Sequence, residues 1–114
     1  MIKAQFLLAK DGTIRKLTLK GHADSGEYGH DIVCAAVSAV TIGAANGIEH
    51  LTGFDPVTAV DAIEGGHLTV AIPTTLSPDA AHTAQILLES LRFSLGQIQA
   101  TSADYLSVTT NHIT

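Results

Sequence analysis

Gly21–Ser38 reads GHADSGEYGHDIVCAAVS. It marks the point where a strand-like pattern stops and a long helix-like pattern begins. Upstream, Thr13 to Lys20 alternates, with Leu17 and Leu19 on one side and Lys16, Thr18 and Lys20 on the other. That is the period of a half-buried strand. Downstream, Ile32 to Gly53 is mostly apolar and small, with no proline. It is too long for one strand and long enough for a buried helix. Asp31 predicts the N-cap, because its carboxylate can accept from an amide two or three residues on. Gly53 predicts the C′ residue, so the helix is expected from Asp31 to Leu51 or Thr52.

Such junctions expose reactive groups on a rigid frame. This one carries the only cysteine, Cys34, two of the six histidines, His22 and His30, and the acids Asp24, Glu27 and Asp31. A helix beginning at Asp31 puts Cys34 in its first turn, near the positive end of the dipole. Lowering a thiol from about 8.5 to about 7 takes roughly 2 kcal/mol, and a helix terminus supplies roughly 0.3–1 kcal/mol. An ionised Asp31 would oppose the shift. An activated Cys34 therefore needs an imidazole. His22 is favoured over His30, because it ends a strand and its backbone is held. The competing reading is a small buried hydrophobe, the commoner fate of a lone cysteine in an apolar helix.

The motif itself resembles the signature of the ribosomal-processing cysteine proteases (the Prp family). Its elements are Gly21-His22-Ala23, a short glycine-containing loop, then Gly29, Asp31, Ile32, Val33, Cys34 and Ala35, with Ser38 four residues beyond the cysteine. Length and element order fit the family across all 114 residues. The resemblance implies a cytoplasmic cysteine endopeptidase that removes a short N-terminal extension from large-subunit ribosomal protein twenty-seven. It implies Cys34 as nucleophile and His22 as general base. Asp31 and Ser38 are expected as supporting residues, Ser38 one helical turn from Cys34 on the same face. No cofactor or metal is expected. The alternative function is a non-enzymatic, ribosome-associated binding protein with a structural cysteine. A zinc site built from Cys34, His22 and His30 matches no common ligand spacing.

Ala23 to His30, ADSGEYGH, predicts a polar loop next to the nucleophile. Gly26 and Gly29 let it bend, and Tyr28 offers an aromatic face to a substrate side chain. A loop of this length in this place reads as a mobile lid.

Working outward, Ile2 to Lys10 predicts the first strand and Asp11-Gly12 a type I′ hairpin turn. Beyond Phe54-Asp55-Pro56, Val57 to Ile63 and His67 to Ile72 predict a second hairpin turning at Gly65-Gly66. Ser77, Pro78 and Asp79 open a second helix. Its stripe is Ala84, Leu87, Leu88, Leu91, Leu95 and Ile98, with Ile86 and Phe93 off it as lone surface apolars or a dimer contact. Asp104 to Thr109 predicts a last strand, with Leu106 and Val108 inward. The order is ββαββαβ in one domain, 1–114. The fold class is α+β, a two-layer sandwich of two helices on a mostly antiparallel five-stranded sheet. The first helix is apolar nearly all round, so a second helix or a second subunit must cover what the sheet does not. A homodimer is expected.

Composition narrows the partners. Aromatic residues are 4% of the chain and apolar residues 46%, so the core is aliphatic. One cysteine excludes an intramolecular disulfide and fits a reducing cytoplasm. The first residues lack the apolar run of a signal peptide. No stretch is expected to span a membrane: Ile32 to Leu51 comes nearest, interrupted by Thr41, Asn46, Glu49 and His50. The net charge is −5. Lys3, Lys10, Arg15, Lys16 and Lys20 lie in the first twenty residues, whereas Gly21 to Glu64 holds acids and no lysine or arginine. An acidic surface attracts cations and repels phosphate backbones. A basic ribosomal-protein N-terminus is the expected partner, and direct nucleic-acid binding is not expected.

Overall fold

The structure is a computed structural model, describing residues 1–21, 28–61 and 67–113, with side chains except at residues 28–31 and 61. The element order is β1 (Ile2–Leu8), β2 (Ile14–Lys20), α1 (Tyr28–Thr52), β3 (Val57–Asp61), β4 (His67–Ala71), α2 (Pro78–Thr101) and β5 (Leu106–His112). The expected ββαββαβ sequence of elements is present. The expected Gly65-Gly66 turn lies outside the described residues.

The five strands form one sheet in the order β3-β4-β2-β1-β5. Every neighbouring pair is antiparallel except β1 and β5, which run parallel from Ile2↔Leu106 to Leu8↔His112. Alternation along β1 explains its central place. Ile2, Ala4, Phe6 and Leu8 are buried, while Lys3 and Gln5 between them are exposed. One face of the sheet is thus core and the other polar, as antiparallel sheets allow. Leu17 and Val70, paired across β2 and β4, continue the buried face.

The first hairpin corrects the expected turn. Ala9 N–H donates to Thr13 O at 2.8 Å and Gly12 N–H to Ala9 O at 2.9 Å. Only Gly12 in the turn has positive φ, 89°. A type I′ turn needs positive φ at both centres, so this is the three-residue loop in which a glycine follows a type I turn. Asp11 stays at negative φ because its carboxylate has local work. It accepts from Thr13 N–H at 3.0 Å and from Thr13 Oγ1–H at 2.7 Å.

α2 follows its start signals. Ser77 accepts from Ala80 N–H at 3.2 Å and Pro78 opens the helix. Ala84, Leu88, Leu91 and Leu95 are buried, and Leu87 and Ile98 pack at the margin of the core. Three polar side chains then tie this helix to the sheet: Gln85 to Ile14, Arg92 to Thr110 and Gln99 to Val108.

α1 begins three residues earlier than expected, at Tyr28. Asp31 is therefore inside the helix and does not cap it. The far end is as expected: Gly53 takes φ 76° and its N–H donates to Glu49 O at 2.8 Å, the single-bond left-handed stop. Val33, Val37, Thr41, Ala45 and Ile48 form the buried stripe. α1 packs chiefly on α2. α2 thus covers one side of α1, while Ile32, Ile42 and Leu51 on the same helix stay about half exposed. Its Ile32–Thr52 segment is long and apolar enough, with a mean hydropathy of 1.6, to cross a membrane by length and composition alone. The expectation that no stretch reaches this threshold is corrected. Within that segment 28% of the most apolar window is buried.

Candidate active site

Because α1 leans on α2, it stands off the β2–β4–β3 side of the sheet. A cavity of about 360 Å³ lies between them. Leu19 and Gly21 line it from the end of β2, and Ser38, Thr41, Ile42, Ala45 and Asn46 from α1. Val57, Val60, His67 and Leu68 complete it from β3 and β4. Gly21 immediately precedes His22, and Ser38 follows Cys34 by one helical turn. The sequence neighbours of the expected base and nucleophile therefore border one cavity.

Gly21 is the pivot of this end. Its φ is 102°, and a Cβ there would be driven into the carbonyl oxygen of Met1. Only glycine meets both demands, the left-handed backbone and the close approach. The chain thus leaves β2 in a fixed direction one residue before His22.

Cys34 is half-buried on α1 and packs against the core. It is the seventh residue of the helix, not in the first turn as expected. Dipole stabilisation falls off within the first turn. The contribution of the helix to ionising this thiol is smaller than the sequence suggested, and the demand on an imidazole is larger.

Ser38 is exposed and lines the cavity, in keeping with its place one turn from Cys34. Tyr28 and Gly29 are in the first turn of α1 rather than in a loop. His30 and Asp31 share that helical segment. His22 and Gly26 lie outside the described residues, as does most of the expected lid.

Sequence reasoning missed the rest of the cavity. Thr41 is 0% exposed, yet its hydroxyl has no hydrogen-bond partner. Its signal was present as a polar break in an apolar helix. His67, whose Nε2 lies 3.1 Å from Thr69 Oγ1, gave no signal: only the Lys20↔His67 register brings it beside the end of β2.

The sequence model of the family Cysteine protease Prp matches residues 1–107. The Ribosomal processing cysteine protease Prp of Bacillus subtilis is 39% identical over 113 residues, covering 99% of this chain and all of the relative. That of Staphylococcus aureus is 39% identical over 92 residues, 81% of this chain and 86% of the relative. Among solved structures, SMU.848 from Streptococcus mutans superposes with a TM-score of 0.87 at 30% identity, over 99% of this chain and 96% of the other. The S. aureus protease Prp in complex with a substrate peptide superposes at 0.81 and 31% identity, over 97% of this chain and 100% of the other. With the motif, the fold and relatives matched end to end in agreement, this chain belongs to the Prp family of ribosomal-processing cysteine proteases.

Proposed function

We propose that the protein is a cysteine endopeptidase that removes the short N-terminal extension of large-subunit ribosomal protein twenty-seven, with Cys34 as nucleophile and His22 as general base. His22 takes the thiol proton, and the thiolate attacks the scissile carbonyl to give an acyl-enzyme. The imidazolium returns its proton to the leaving amine, and water then hydrolyses the thioester. No metal or cofactor is needed for these steps. The observation that carries the reading is the shared cavity: Gly21, next to the base, and Ser38, one turn from the nucleophile, both line it.

The substrate runs along that cavity. Its apolar walls receive side chains, and the acidic region from Gly21 to Glu64 draws in a basic peptide. The enzyme works in the cytoplasm as a homodimer, with the exposed Ile86 and Phe93 of α2 as the contact surface. Sedimentation reads the assembly.

The deciding experiment incubates the protein with the N-terminal peptide of its host's ribosomal protein twenty-seven and weighs the products. Wild type yields one specific cut and Cys34→Ala none. A Cys34→Ala protein that still cleaves would end the reading. A wild type that binds without cutting, with a thiol indifferent to alkylating agents, would favour a ribosome-associated binding protein.

A further inference from the structure

Thr41 is the one buried side-chain polar atom among the described residues that lacks a hydrogen bond. A mid-helix threonine has a partner within easy reach, the carbonyl four residues back. Thr52 uses it, donating to Ile48 O at 2.6 Å. Thr41 makes no such bond, although it is 0% exposed. A hydroxyl left in this state is costly and calls for an explanation. Its surroundings supply one. Thr41 lines the 360 Å³ cavity, whose walls at Leu19, Ile42, Ala45, Val57 and Leu68 are apolar.

We propose that Thr41 is a specificity-determining residue of a substrate side-chain subsite. The cavity takes a residue with an apolar stem and a single hydrogen-bonding tip, and the Thr41 hydroxyl pairs with that tip. The inference rests on the endopeptidase reading and assigns a substrate feature to it. Thr41 follows Cys34 by seven residues on the same face of α1, about 10 Å along the helix axis. An extended peptide advances about 3.3 Å per residue. The side chain in the subsite is therefore about three residues from the scissile bond. A site built to pair a substrate polar group rejects the analogue lacking it far more strongly than a purely apolar pocket rejects a missing methylene.

The test uses peptides from the N-terminus of the host's ribosomal protein twenty-seven. Each position within four residues of the cut is replaced in turn by the matched pairs Met and Gln, and Phe and Tyr. At one position, about three from the bond, wild type prefers the polar member by about tenfold or more in kcat/KM. Thr41→Val, which keeps the shape and removes the hydroxyl, brings that ratio to within about twofold of unity. Thr41→Ser, which keeps the hydroxyl, retains the preference. Thermal unfolding of both variants verifies the fold. A preference unchanged in Thr41→Val, or no polar preference at any position, overturns the assignment of Thr41 alone. Failure of wild type to cut any peptide overturns the endopeptidase reading and this inference together.

Discussion

Gln85 treats Ile14 as a neighbouring strand would. Its side-chain amide donates to Ile14 O and its Oε1 accepts from Ile14 N–H, both at 2.8 Å. A residue on α2 thereby completes the backbone of β2 beside the irregularity at Leu7/Leu8, where β1 and β2 slip in register. Ile14 is 0% exposed with Gln85 in place. Losing both bonds costs about 1–3 kcal/mol for each group that water does not then reach.

Gln85→Ala is therefore expected to lower stability by about 2–4 kcal/mol, read as a shift of the urea midpoint. Ile14 is at the opposite end of β2 from Gly21. Below the transition, peptide cleavage by the folded variant should match wild type within about twofold. A large loss of activity without loss of stability would contradict this division between frame and site.

Gly21→Ala makes the opposite case. The substitution adds a Cβ against Met1 O and forces an alanine into φ 102°. Together these cost about 2 kcal/mol or more, because both Met1 and Gly21 are held by strand ends. The strain is released by turning the chain at the root of His22. We expect kcat/KM to fall more steeply than the stability loss accounts for, measured well below the transition temperature. Equal losses in the two would mean that this glycine serves only the frame.

How far the sequence disclosed these features depends on how local each one is. The start and the buried stripe of α2 were legible, because Ser77, Pro78 and the Ala84–Ile98 stripe all act within a few turns. The start of α1 was not. Asp31 has the chemistry of a cap, yet the helix begins at Tyr28, and with that shift Cys34 leaves the first turn. The strand β5 runs on to His112, beyond the expected Thr109, because Leu8 pairs with it there, and no local pattern announces a partner about a hundred residues away. The cavity was illegible for the same reason. Its walls come from β2, α1, β3 and β4, and it exists only because α1 rests on α2 and stands off the sheet. The proposal of Cys34 with His22 rests on the motif, which names residue types without needing the fold.

The hairpin turn predicts a pH effect. Hydrogen bonding from Thr13, first its N–H and then its hydroxyl, holds the Asp11 carboxyl below its ordinary value of 3.8. A depressed folded-state value means that ionised Asp11 stabilises the folded form. That contribution is fully present above pH 3.8 and is lost as the pH falls through the lower folded-state value. Asp11→Ala should therefore be less stable than wild type at neutral pH, with the gap closing in acid. Denaturant midpoints at several pH values read this directly. A gap that persists unchanged into strong acid would assign the effect to turn propensity rather than to the carboxylate.

The final prediction concerns the thiol. With Cys34 in the seventh position of α1, the helix dipole offers it little, so its ionisation depends on a neighbouring imidazole. If His22 provides it, His22→Ala returns the thiol toward about 8.5 and cuts its alkylation rate near pH 7 by about tenfold. The two proteins should converge as the pH rises past about 9, where either thiol is ionised. The rate of iodoacetamide labelling across this range distinguishes the cases by mass alone, with no substrate required. A labelling profile untouched by His22→Ala would move the base to His30, or to His67 on the cavity wall. The same measurement on His30→Ala and His67→Ala would then decide between those two.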